Sequence, residues 1–509
     1  MTDKVPIRQL QTGVTGLDQI LGGGVPEFSF NLIAGSPGSG KTTLAHEIMF
    51  ALAGPQCKAV YFTVVGEPPL KMLRYQQQYE FFDPERLEES IRFVNLSQEI
   101  AGGTLDKLFE RIVAEVDATD PRLVFVDSFR AVAHVAELAH EKDGQLHHFV
   151  QRLATTMTGW QATTFLIGEY QPREADYDPV FTVADGVLWL HQSLDRNSMV
   201  RKIQVMKMRG QAPIPGLHTF RITSQGVQVF PRVIVGRRPE KSSGKQETQK
   251  RLLLDIGELD QMLGGGIPSG YSVLVAGPSG SGKSVLATQF IMAGIRHDEP
   301  GVLAVFEKRP NEYSQTPPGG HVFGQMVREG KVGVIHSRPL DLSIDEMLYE
   351  IVEQIERMKA RRLVVDSLSG FELALAPTFR ADFRESLYRM VAVLTGMGVT
   401  MMMTAELEDS YTDLRFSPHS TAFLTDVIIM QRYIELQGSL QRVMSVVKVR
   451  GSSHSKEIRT FEISKTGIVL GEPLAGYDGL LTGHPVHVAS AAPPTPPPRG
   501  KRSARSSRT

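Results

Sequence analysis

The sequence predicts an α/β protein in which one domain is built twice in tandem, each copy a mainly parallel sheet flanked by helices. Three observations lead there. Two glycine-rich loops of one pattern stand 242 residues apart, at Gly35 and Gly277. The segments around them recur in the same order at offsets of 239 to 242 residues, so a whole domain is duplicated rather than a loop. Within each copy, short β-branched runs alternate with helical segments, the pattern of a sheet with helical crossovers.

The first copy opens with TGVTGLDQILGGGVP, Thr12–Pro26, and the second with IGELDQMLGGGIPSG, Ile256–Gly270. A strand expected at Asn31–Ala34 leads into GSPGSGKT, which is Gly35, Ser36, Pro37, Gly38, Ser39, Gly40, Lys41 and Thr42, followed by Thr43. Its counterpart GPSGSGKS is Gly277, Pro278, Ser279, Gly280, Ser281, Gly282, Lys283 and Ser284. Both complete the P-loop pattern, in which glycines let successive backbone N–H groups surround phosphates. Lys41 and Lys283 are placed to reach the terminal phosphates, and the hydroxyls of Thr42 and Ser284 suit magnesium. Two bound nucleoside triphosphates are expected, ATP with Mg2+.

Further strands are expected at Val60–Val65, Ile91–Val94, Leu123–Val126 and Thr164–Ile167, then hairpin-like runs at Val187–Leu190, Ile203–Met208, Phe220–Thr223 and Val227–Phe230. RLVFVDS (Arg122–Ser128) and RLVVDS (Arg362–Ser367) have the Walker B form. Buried apolar residues hold such a strand in the sheet, and Asp127 or Asp366 emerges at its carboxyl end, where open α/β sheets bind ligands and a carboxylate can hold magnesium. An aspartate there also caps helices well. At least two strands separate P-loop from Walker B, as in RecA-like ATPases. That class hydrolyses ATP with a glutamate after the strand that follows the P-loop helix. Here those places read VVGEPP and VFEKRP, so Glu67 and Glu307 are the candidates to orient or deprotonate water, with Glu307 also a candidate near the metal.

Composition supports a folded pair of domains with extensions. The boundaries expected are 1–235 for the first domain, 236–251 for a linker, 252–475 for the second domain and 476–509 for a C-terminal segment and tail. The linker GRRPEKSSGKQETQKR lacks apolar periodicity. Cys57 is the single cysteine, so no internal disulfide forms, which favours a reducing cytoplasm. The N-terminal residues lack a signal-peptide pattern, and no apolar run is long enough for a bilayer. The last 26 residues carry five positive charges and no acid, which leaves the rest of this −1 chain at −6. That proline-rich, basic tail is expected to be disordered, either simply solvated or bound to a regulatory protein or anionic surface.

With its tandem repeat, the GLDQILGGG and ELDQMLGGG segments, both Walker pairs, and KMRG (Lys207–Gly210) and KVRG (Lys448–Gly451), the chain resembles the KaiC family of double-domain RecA-like ATPases of the circadian clock. The resemblance covers nearly everything from Thr12 to about Pro485. It implies that Lys207 and Arg209, and Lys448 and Arg450, reach the nucleotide of a neighbouring subunit, so that ATP sits at the interfaces of a homo-hexamer. It further implies nucleotide contacts for Ser452, His454 and Lys456 in the SSHSK continuation, and a fold-over segment at YDGLLTGHP, Tyr477–Pro485.

The chain departs from the family in three places. Where KaiC carries two adjacent glutamates, the first repeat has Gly66-Glu67 and the second Glu307-Lys308, so the first site is expected to be structural or slow. The first repeat continues QAPIP after KMRG and lacks the histidine. The family phosphorylates an adjacent serine and threonine ahead of a Thr-Asp pair; here Ala422 and Phe423 precede Thr425-Asp426 at those positions, with Ser420-Thr421 two residues upstream. Serine/threonine self-phosphorylation then requires a slid or bulged backbone, with hydroxyls displaced by about 7 Å along a strand. Two other function classes share the nucleotide motifs. A RecA-type DNA-repair ATPase needs a basic, aromatic-bearing surface that this acidic folded part does not show, which makes DNA an unfavoured partner. A non-catalytic scaffold would bind ATP and cement a ring without turnover.

Overall fold

The computed structural model describes residues 7–64, 69–102, 104–132, 144–195, 198–232, 250–306, 310–313, 320–336, 343–375, 383–407, 424–480 and 486–487. The chain divides into two compact units, 1–242 with 337–353 and 372–393, and 243–336 with 354–371 and 394–509.

The sheet of the first unit is built from β1 (Phe30–Gly35), β2 (Ala59–Thr63), β3 (Ile91–Asn95), β4 (Leu123–Asp127), β5 (Thr163–Glu169), β6 (Gly186–Asp195), β7 (Ser198–Met208), β8 (Leu217–Thr223) and β9 (Gly226–Phe230). Its order is β9-β8-β7-β6-β1-β5-β4-β2-β3. The six strands from β6 to β3 run parallel, and the β6–β9 arm is antiparallel. The P-loop helix α1 (Lys41–Leu52) covers one face, while α2 (Leu105–Thr119) and α3 (Gly144–Gly159) cover the other. Strand alternation sorts the side chains between the two faces: Val60 and Phe62 pack with α2 and α3, Ala59 and Tyr61 with α1. Both faces being buried explains why these strands read as continuous apolar runs.

The second unit repeats the plan. β10 (Ser272–Gly277), β11 (Gly301–Val305), β12 (Val332–His336), β13 (Arg362–Asp366), β14 (Thr400–Glu406), β15 (Val427–Leu436), β16 (Ser439–Val449), β17 (Ile458–Ser464) and β18 (Gly467–Pro473) form a sheet of the same order, each strand matching the one nine numbers lower. Its P-loop helix is α4 (Lys283–Arg296). The two-domain α/β architecture expected from the repeat is present.

The shared Leu-Asp-Gln element proves to be structural. Asp18 Oδ1 accepts from the Thr12 N–H at 3.0 Å and its hydroxyl at 2.8 Å, and Asp260 Oδ1 accepts from the Leu254 N–H at 2.9 Å. Each carboxylate thereby ties down the chain that enters its domain. Ordered structure precedes Leu252: Lys250 pairs with Glu299 at 2.8 Å and Arg251 pairs in a short antiparallel ladder with Pro268. Tyr477–Asp478 pairs with Val486–His487, and Leu480 is buried against Ile434 and Val443. The basic tail from residue 488 lies outside the described residues. Among the described residues no helix is long and apolar enough to cross a membrane.

Candidate active site

Each sheet ends, on its carboxyl side, in a cleft bordered by a P-loop and the Walker B strand. Gly38 and Gly40 have φ of 73° and 101°, and Gly280 and Gly282 have 74° and 107°. These left-handed conformations favour glycine, so the two loops fold alike because the same glycines recur. The lysines lie folded over the loops. Lys41 Nζ donates to the Ser36 carbonyl at 2.8 Å, and Lys283 Nζ donates to Gly277 and Pro278 carbonyls at 2.9 and 2.7 Å. Burial lowers the Lys41 pKa, opposed by the charges of Glu169 and Asp127.

Thr42 Oγ1 donates to Asp127 Oδ2 at 2.8 Å, which brings the two expected metal ligands of the first repeat together. Ser284 and Asp366 border the second cleft together. A hydroxyl beside a carboxylate is a hard-oxygen donor set suited to Mg2+, which takes few protein ligands and completes its shell with phosphates and water. Among the described residues no group of three or more His, Cys, Asp or Glu side chains is placed to hold a metal.

Both Walker B aspartates also accept from a tyrosine that sequence reasoning did not single out. Tyr61, buried in β2, donates to Asp127 Oδ2 at 2.8 Å; Tyr313, from the short helix Pro310–Tyr313, donates to Asp366 Oδ2 at 2.5 Å. Thr404 Oγ1 adds a donor to Asp366. Burial raises the Asp127 carboxyl pKa, and the Tyr61 and Thr42 hydrogen bonds oppose that rise. The other group missed is a strand-end acid. Glu169 and Glu406 border the two clefts, each paired across the sheet with the first glycine of its P-loop.

The cationic pairs sit elsewhere. Lys207 Nζ donates to the Phe181 and Thr182 carbonyls at 3.3 and 3.0 Å, and Arg209 pairs with Asp185 at 3.0 Å. Lys448 Nζ donates to the Thr425 carbonyl at 2.7 Å, and Arg450 pairs with Asp426 at 3.0 Å. Burial lowers the pKa of both lysines, followed by the charge of the adjacent arginine. Arg209 N–H donates to Asp185, whose own N–H donates to Phe30 at the start of β1; Arg450, Asp426 and Ser272 repeat the relay in the second sheet. Each P-loop begins five residues further along that strand, about 16 Å away. Ser452 Oγ accepts from Arg251 Nη2 at 2.6 Å, His454 is half-buried and Lys456 is exposed.

Gly66, Glu67, Glu307, Lys308 and the segment Ser420 to Phe423 lie outside the described residues. The geometry therefore unites P-loop, hydroxyl and Walker B aspartate in each repeat, adds a tyrosine and a glutamate, and leaves the Lys-Arg pairs at the far end of the sheet.

The family model described as "ATPase: KaiC" matches residues 10–234 and again 254–475. Over 496 residues the chain is 28% identical to a circadian clock oscillator protein KaiC of a Picosynechococcus species, covering 95% of this chain and 93% of that protein. The KaiC of Rippkaea orientalis is 28% identical over 495 residues, with 95% and 92% covered. Circadian clock protein KaiC3 of a Synechocystis species is 28% identical over 503 residues, with 95% and 96% covered.

Proposed function

Because the chain belongs to the KaiC family of ATPases, we propose that it binds ATP and Mg2+ at both P-loops and hydrolyses ATP as a head-to-tail ring of identical subunits, with a regulatory or signalling output. The observation that carries this reading is the strand register. A P-loop stands at one end of each sheet and a Lys-Arg pair at the other, too far apart to meet on one nucleotide within a subunit. A neighbouring copy supplies the missing cations. Arg209 and Arg450 then stabilise charge on the transferring phosphoryl group, which couples turnover to assembly.

Within a subunit the roles follow from position. P-loop N–H groups and Lys41 or Lys283 bind the phosphates. Thr42 with Asp127, and Ser284 with Asp366, hold Mg2+, which when bound neutralises phosphate charge. Tyr61 and Tyr313 fix the orientation of the aspartates. Glu307 keeps the leading acid that Gly66 replaces in the first repeat, so the second site is the faster one.

Native mass determination with and without ATP, together with phosphate release, tests the proposal. Six subunits with two nucleotides per chain, and phosphate release lost together with the ring, are expected. A monomer that turns over ATP at full rate refutes it, since Arg209 and Arg450 would have no neighbour to reach. Incubation with ATP labelled at the γ-phosphate also reads self-phosphorylation; label on the chain would assign it kinase activity as well.

A further inference from the structure

The two P-loops differ in what stands behind them. Each carries a serine between two glycines of left-handed backbone, Ser39 between Gly38 and Gly40 and Ser281 between Gly280 and Gly282, and both serines are fully buried. On one side the loops are alike: Gly40 packs against Phe220 and Ile222, and Gly282 against Phe461 and Ile463. The strand on the other side is not the same. β6 sets Leu190 against Gly35, the first residue of its loop, and β15 sets Gln431 against Gly277, one residue past the pairing of Met430 with Ala276. Ser281 Oγ donates to Gln431 Oε1 at 3.2 Å, whereas among the described residues the Ser39 hydroxyl has no hydrogen-bond partner.

A glutamine in that position is unexpected on packing grounds. Gln431 is 0% exposed, its cross-strand neighbour is Met444, and among the described residues its Nε2 has no hydrogen-bond partner. Leucine fills the same place in the first repeat without burying an amide, so glutamine is the less favourable choice for the sheet. The bond to Ser281 supplies a compensating gain at the loop. Gly280 and Gly282 give the second loop more backbone freedom than other residues would, and that freedom is lost when its N–H groups close around phosphates. A hydrogen bond from the strand to the residue between them removes part of it before the nucleotide arrives.

We propose that Gln431 is a positioning residue of the second nucleotide site, holding the P-loop in its phosphate-binding form through Ser281, a hold that the first P-loop lacks; the assignment rests on the ATP-binding reading above. P-loop N–H groups bind the phosphates in the ground state and the transition state alike. The effect of Gln431 therefore falls on the affinity for ATP, and on KM more than on kcat.

The test uses the full chain with Lys41→Ala, which isolates the second site, and measures binding of a non-hydrolysable ATP analogue with Mg2+. Gln431→Leu, which gives the second repeat the residue of the first, should weaken binding about five- to tenfold, the worth of one neutral hydrogen bond. Ser281→Ala should weaken it by a similar factor. The chain with both substitutions should lose no more than either alone, because the two residues act through one bond. With ATP itself, Gln431→Leu should raise KM by the same factor and change kcat by less than about twofold. Unchanged affinity in Gln431→Leu, losses that multiply in the double variant, or a loss of affinity that follows a fall in the thermal unfolding midpoint overturns the proposal. If the Lys41→Ala chain binds no nucleotide, the ATP-binding reading of the second site fails and this assignment falls with it; if that chain binds and Gln431→Leu binds equally well, this assignment alone is removed.

Discussion

The two P-loop helices carry different chemistry at matching places: α1 has His46-Glu47 where α4 has Thr288-Gln289. Both second residues accept the same backbone N–H. Val227 donates to Glu47 Oε2 at 2.6 Å, and Ile468 donates to Gln289 Oε1 at 3.0 Å. A hydrogen bond that a neutral amide makes in one unit is thus made by a buried carboxyl in the other. Thr288 returns its hydroxyl to the Ser284 carbonyl at 2.8 Å, whereas His46 is fully buried against Tyr61 at 4.6 Å between rings. Duplicated folds can therefore keep geometry while one copy acquires ionisable groups in its interior.

Those groups act on stability in opposite directions. Burial lowers the His46 pKa to about 4, so its contribution is lost as pH falls from about 6.5 towards 4, because only the unfolded state takes the proton there. Burial raises the Glu47 carboxyl to about 7, so stability is lost as pH rises through the interval from about 4.5 to 7. Between those limits the two slopes nearly cancel.

The comparison breaks most visibly at the arginines. Arg450→Ala with the first site silenced, and Arg209→Ala with the second silenced, should each lower phosphate release by about a thousandfold. A loss at only one would show that the two repeats do not share a mechanism. Next, Glu47→Gln gives α1 the residue that α4 already has. It should stabilise the first unit by up to about 3 kcal/mol at pH 8 and by little at pH 4.5, read from hydrogen exchange along Lys41–Leu52; an equal effect at both pH values would remove the charge argument. Smallest, among the described residues Tyr61→Phe takes one of two hydroxyl donors from Asp127 and Tyr313→Phe one of two from Asp366. Each should cost about 1 kcal/mol in transition-state stabilisation, roughly fivefold in turnover at its own site. A loss at one site alone would mean that the strand-borne and helix-borne phenols are not equivalent.

What the sequence disclosed follows physical lines. Strands expected at Asn31–Ala34, Leu123–Val126 and Thr164–Ile167 extend to Phe30–Gly35, Leu123–Asp127 and Thr163–Glu169, because runs buried on both faces announce themselves. The strand expected at Val60–Val65 runs over Ala59–Thr63. P-loops were legible since all their ligating atoms lie within eight residues. Tyr61 was not, because an aromatic in an apolar strand looks like any core residue and its use appears only when the next strand places Asp127 beside it. Its functional counterpart Tyr313 comes from a helix, so the repeat gave no register by which to find it. Glu169 and Glu406 recur at an offset of 237 residues, outside the 239 to 242 of the motifs. The carbonyl contacts of Lys207 and Lys448 depend on how distant turns return to the sheet, which no local pattern encodes.

The separation of P-loop and Lys-Arg pair has a consequence for mixtures. In a ring built head to tail, a chain with Lys283→Ala spoils the pocket it owns, and a chain with Arg450→Ala spoils the pocket of the subunit beside it. Two preparations inactive at the second site, combined in equal amounts and allowed to exchange, should then recover about a quarter of their junctions, because one order of neighbours joins an intact lysine to an intact arginine.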